Sequence, residues 1–91
     1  MDQLDLAYDV GDIAKYEPKV FDFLLGKPLP DWVSIAIYEA GDSSRHPVYR
    51  EMVNAKTAAE CANFVAQKIV QKCGEFARRG RVVSGVTVVF F

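Results

Sequence analysis

The chain has 91 residues, 51% of them hydrophobic and 25% charged, with 11 basic and 12 acidic side chains. That balance excludes the disordered class, and a formal net charge of −1 supplies no overall field to draw the chain to phosphate backbones or anionic membranes. One domain over residues 1–91 is expected, with roughly 5,300 Å² of folded surface, so that it can enclose one core and no second.

In chain order, the first periodic segment is Leu4 to Val10, where Leu4, Leu6, Tyr8 and Val10 alternate with Asp5, Ala7 and Asp9. The period of two predicts a strand, with a first helical turn as the rival. Asp2, Asp5, Asp9 and Asp12 make this end acidic, but their spacing matches no calcium loop, and a solvated face is the simpler reading. Glu17 to Leu25 predicts a short helix with Pro18 in its first turn, Gly26 at its end, and Val20, Phe21 and Leu24 toward the core. The following Lys27-Pro-Leu-Pro30 is held extended by its two prolines and reads as a linker.

Trp32 to Ala40 and Pro47 to Asn54 flank the turn-rich segment Gly41 to Ser44, the pattern of a β-hairpin with a long loop. In the second strand, Val48, Arg50 and Met52 share one face and Tyr49, Glu51 and Val53 the other. This mixture suits a sheet edge. A long helix is predicted from Thr57 to Arg79. Thr57-Ala-Ala-Glu60 has the form of a capping box, in which the Thr57 hydroxyl accepts from the Glu60 N–H and the Glu60 carboxylate reaches back to accept from the Thr57 N–H. Ala58, Ala62, Val65, Ile69, Cys73 and Phe76 trace its apolar stripe, Asn63, Gln67, Gln71 and Arg78 lie opposite, and Glu75 is placed to pair with Arg78 and Arg79. Gly80 ends the helix, with Arg78, Arg79 and Arg81 at the negative end of its dipole.

Val82 to Phe91 then predicts a strand that is apolar on both sides, with Val82, Val86, Val88 and Phe90 on one and Val83, Val89 and Phe91 on the other. Such a strand is either central with both faces covered, or is covered on its second face by another subunit. The fold class that follows is α+β, a small antiparallel or mixed sheet of three or four strands packed on one long helix. If the opening segment is a strand, the element order is β-α-β-β-α-β, which resembles the ferredoxin-like pattern of a four-stranded antiparallel sheet with two helices on one face. The resemblance is one of element order and implies no function.

Few local motifs carry chemistry. His46 is the only histidine, and no C-x-x-C, H-x-x-x-H or H-E-x-x-H spacing occurs, so the sequence implies no metal site and no cofactor. Cys61 and Cys73 are twelve residues apart on one helix, about 18 Å, and cannot bridge each other. Cys73 reads as a core thiol, whereas Cys61, in the first helical turn, would have a dipole-favoured thiolate if it faced solvent. Arg45 and His46 beside two serines, and Arg78 and Arg79 at the helix end, are candidate anion contacts. A sheet carrying Tyr38 and Tyr49 could add stacking platforms for nucleic acid, although the near-neutral charge argues against that partner.

Phe64, Val86, Val88, Phe90 and Phe91 exceed what one small core is expected to cover and are the candidate interface. The acidic N-terminal segment lacks the regions of a signal peptide and no run approaches a membrane span, so a cytoplasmic protein without a membrane partner is expected. These features point to a small non-enzymatic interaction or regulatory module that self-associates as a homodimer or binds another protein. The alternatives are a nucleic-acid or small-anion binding module, and a small enzyme whose site forms between subunits from Arg45, His46, Tyr49 and an acidic residue.

Overall fold

The opening alternation of leucines with polar residues does form a strand. The computed structural model describes residues 2–7, 13–41, 46–47, 49–54 and 56–91. It orders them as β1 (Asp2–Ala7), α1 (Ile13–Leu24), β2 (Val33–Glu39), β3 (Tyr49–Val53), α2 (Ala58–Arg78) and β4 (Val83–Phe90). The architecture is α+β: one four-stranded antiparallel sheet and two helices.

The helices show which local signals prevail. Thr57, in extended conformation, caps α2 by accepting from the Glu60 N–H at 3.0 Å, which satisfies one of the otherwise orphaned first-turn donors. Gly80, at φ +74°, closes the other end, and the Arg81 N–H donates back to the Phe76 carbonyl at 2.9 Å. The expected stripe is buried from Ala62 to Phe76, with Ala58 half-buried and Cys61 and Ala66 widening it. Glu75 pairs with Lys72 at 3.4 Å and not with Arg78 or Arg79.

Helix α1 begins four residues before the expected start at Glu17, so Pro18 lies inside it. Proline there leaves the Ala14 carbonyl without its usual donor. What holds the extra turn is Tyr16, fully buried, whose hydroxyl donates to the Ala7 carbonyl at 3.4 Å. Tyr16, Val20 and Leu24, each four residues apart, form the buried line. Phe21 lies off that line and is exposed, while Phe23, three residues from Val20, packs against the core and stacks on Phe90 at 5.1 Å. The expectation that Phe21 faces inward is corrected accordingly.

The strands run in the order β1-β4-β2-β3, each antiparallel to its neighbour. β1 and β2 flank β4, and β3 and β4 flank β2, so the chain forms two interlocked split β-α-β units. The second and fourth strands therefore hold the centre. A ferredoxin-like sheet centres on its first and third strands, so that likeness stops at the order of elements along the chain. β3 is at an edge, as its mixed faces suggest.

Both helices lie on one face. Leu4 and Leu6, Val33, Ile35 and Ile37, and Val86, Val88 and Phe90 point toward them and build the single core with Tyr16, Val20, Leu24 and the α2 stripe. Val88, Ile35 and Ile37 are completely buried there.

Candidate functional site

Period-two alternation fixes what the sheet's other face carries. Cross-strand register sets out three rows on it: Gln3, Val89, Ser34 and Met52; Asp5, Thr87, Ala36 and Arg50; and Ala7, Gly85 and Tyr38. No described helix or strand covers this open face.

At one margin of the face the backbone ladder runs beyond the strands proper. The Phe91 N–H donates to the Trp32 carbonyl at 2.9 Å and the Asp31 N–H to the Phe91 carbonyl at 3.2 Å, so Trp32 and Phe91 sit side by side on the two central strands. Trp32 is 48% exposed, Phe91 52% and Met52 48%, with Val89 half-buried among them. Ser34 and Ala36 are buried although no described element lies above them; they are small and flanked by Val89, Met52, Thr87 and Arg50. The result is a shallow trough with an aromatic and thioether rim at one end and Tyr38 at the other.

The expected interface is thereby redrawn. Val86, Val88 and Phe90 face the helices and are buried, so they are not part of the open face. Phe91, just past the end of β4, continues the alternation of Thr87 and Val89 onto the open side and also lines the cleft at that end. Phe64 is exposed at 42%, but on α2, and is not part of this surface. Val82 precedes the strand and is exposed, so it does not share the buried side of Val86. Trp32 and Met52 were not among the candidates. The signal for Trp32 is the alternation of Trp32, Ser34, Ala36 and Tyr38 against Val33, Ile35 and Ile37.

Candidate chemical groups are dispersed or already engaged. Tyr38 and Tyr49 lie on opposite faces, since Tyr49 is level with Ile37 on the helix side, and they cannot form a joint stacking platform. The Tyr49 hydroxyl donates to the Glu51 carboxylate, and the Lys72 ammonium lies 5.0 Å from its ring centre. Burial, that hydrogen bond and the charges of Glu51 and Glu75 push its pKa up to about 12, so it stays a neutral donor and is not an activated base. Lys68 pairs with Glu51 at 3.6 Å. This seam ties the β3 edge to α2.

Both thiols are buried. Burial, and then the charge of Glu60, pushes the Cys61 thiol up, and burial alone takes Cys73 to about 11. Cys61 therefore does not gain the dipole-favoured thiolate that exposure would allow. Asp2 lies on the helix side of β1 and pairs with Lys27 at 3.8 Å, whereas Asp5 lies on the open side, so these two do not form one acidic patch. Asp9 and Asp12 lie outside the described residues.

The ends of β2 and α2 and the starts of β3 and β4 meet at one end of the molecule, which brings His46, Arg78 and Arg79 to the same side. All three are exposed, and Arg45 lies outside the described residues. Arg81 is paired with Glu39, and Glu75 stands one turn before Arg79, so the charge at this end is mixed. At the opposite end a cleft of about 310 Å³ is lined by Phe23, Leu24, Leu29, Phe90 and Phe91, with Lys27 at its edge. Lys27 is already held 3.6 Å from the Phe23 ring centre and beside Asp2, so the cleft lacks free converging polar groups. Among the described residues no helix is long and apolar enough to cross a membrane. No protein-family model, curated protein or solved structure matches this chain.

Proposed function

We propose that this chain is a small non-enzymatic interaction module of the cytoplasm, working by presenting the open face of its sheet to a protein surface, in self-association or with another protein. The carrying observation is that Trp32, Met52 and Phe91, each about half exposed, cluster on the one side of the sheet that no described element covers. Clustered apolar area on a soluble domain costs free energy in water that docking recovers. Trp, Tyr, Phe, Met and Arg are the residue types enriched in protein interfaces, and Trp32, Tyr38, Phe91, Met52 and Arg50 supply one of each here. The cytoplasmic assignment rests on Cys61 and Cys73, two buried free thiols on one helix.

Replacing Trp32 and Phe91 together by Ser is expected to abolish association, read by light scattering on a size-exclusion column and by pull-down, while far-ultraviolet circular dichroism stays unchanged. A wild-type chain that remains a clean monomer at high concentration and captures no partner would remove the basis of the reading.

A second reading, the binding of small anions or nucleic acid, is favoured by the gathering of His46, Arg78 and Arg79 at one end of the fold. Binding of that kind weakens with added salt and with replacement of Arg78 and Arg79 by Ala; insensitivity to both rejects it.

A further inference from the structure

Charge on the open face is arranged as deliberately as its apolar rim. The row Asp5, Thr87, Ala36, Arg50 crosses all four strands, with the acid on one edge strand and the base on the other. Three strand spacings separate them, roughly 14 Å, too far for one to neutralise the other within the chain. Asp5 is held on this face by the Thr87 hydroxyl, which donates to its carboxylate at 2.9 Å, and by the Gln3 amide, which donates at 3.0 Å. Neither donor is a cation. Among the described residues, Arg50 has neither a hydrogen bond nor an ion pair from its side chain. A fixed anion and a cation without a described partner thus stand level with each other at the two margins of a face that no described element covers.

We propose that the occupant of this face is a second copy of the chain, the two sheets packing face to face about a two-fold axis parallel to the strands and midway between β4 and β2. This rests on the open-face reading above. The rotation exchanges β1 with β3 and β4 with β2 while keeping each row at its own level. Asp5 of one protomer then lies over Arg50 of the partner subunit, and the contact occurs twice, as an isologous interface requires. Trp32 meets Phe91 of the partner subunit in the same way, and Gln3 meets Met52 of the partner subunit.

The other in-plane two-fold, perpendicular to the strands at the level of this row, would set Asp5 over Asp5 and Arg50 over Arg50. Like charges across an interface oppose binding, so the charge pattern selects the first axis. Aligned sheets cross at about 30°, which displaces the margins by a few ångström, within the reach of an arginine side chain.

Charge exchange tests the axis. Asp5→Arg and Arg50→Asp, each alone, put like charges at both contacts and are expected to raise the dimer dissociation constant by about tenfold or more in sedimentation at low salt. The double variant restores opposite charges. So does an equimolar mixture of the two single variants, which should form a heterodimer more stable than either homodimer. Asp5→Asn, which keeps the hydrogen-bonding shape, should weaken the dimer less than Asp5→Arg. Single variants that dimerise as tightly as wild type, or a double variant and mixture that do not recover, overturn the proposed axis. In that event, loss of association in the Trp32→Ser, Phe91→Ser variant leaves the open-face reading standing, and its persistence removes that reading as well.

Discussion

The two faces of the sheet are built from alternate residues of the same four strands, yet they solve opposite problems. On the helix side, Val33, Ile35 and Ile37 of β2 interlock with Val86 and Val88 of β4 under two amphipathic helices, and burial there is complete at most positions. On the open side the same strands carry Ser34, Ala36, Thr87 and Val89 between charged margins, and the large apolar groups are confined to one end. Stability is concentrated on one side and exposed apolar area on the other. A change one residue along a strand therefore alters a different property of the molecule.

That contrast can be broken at its strong side first. Ile35→Ala deletes fully buried methyl groups and should cost about 2–5 kcal/mol in urea unfolding, because the removed transfer energy is compounded by a cavity. A cost under about 1 kcal/mol would mean that the helices do not pack as described.

Alkaline titration comes next. The Cys73 thiol is raised from 9.0 to about 11 by burial in the folded state, so the neutral thiol contributes stability that is fully present below about pH 9. That contribution is lost as pH climbs toward about 11. Tyr49, raised from 10.0 to about 12, adds a loss of the same sign in a higher window. Thermal unfolding of Cys73→Val should therefore decline less between pH 9 and 11 than wild type; parallel curves would show that the thiol is not sequestered.

The smallest effect belongs to the open face. Met52→Ser, at a half-exposed position, should change stability by no more than about 0.5 kcal/mol in urea unfolding of the dilute chain. A larger loss would show that the open face contributes to the core.

Much of the fold was legible because its signals are local. Thr57 and Glu60 mark a cap, Gly80 marks a stop, and a three-and-four spacing marks the buried side of α2, all within a few residues. The start of α1 was not legible, because Pro18 is an ordinary first-turn residue and the burial of Tyr16 that carries the helix past it depends on Ala7, nine residues away. Nor could the sequence decide which side of β4 is covered. Two apolar faces look alike until the helices choose one, and so the sequence offers Val86, Val88 and Phe90 to an interface although they belong to the core. The separation of Tyr38 from Tyr49 has the same origin. The hairpin register sets Ile37 opposite Tyr49, and a slip of one residue would have put both tyrosines on one face.

The strand order has a consequence for how the molecule is made. β4 is inserted between β1 and β2, yet it follows the other described elements along the chain. While the polypeptide emerges from the ribosome, β1 has no neighbour to pair with, and β2 has only β3. The apolar side of β2 must wait, along with an unpaired backbone edge, until the last strand is synthesised and can close a loop spanning most of the sequence. Nascent chains halted before Val83 are therefore the form most exposed to aggregation and to capture by chaperones.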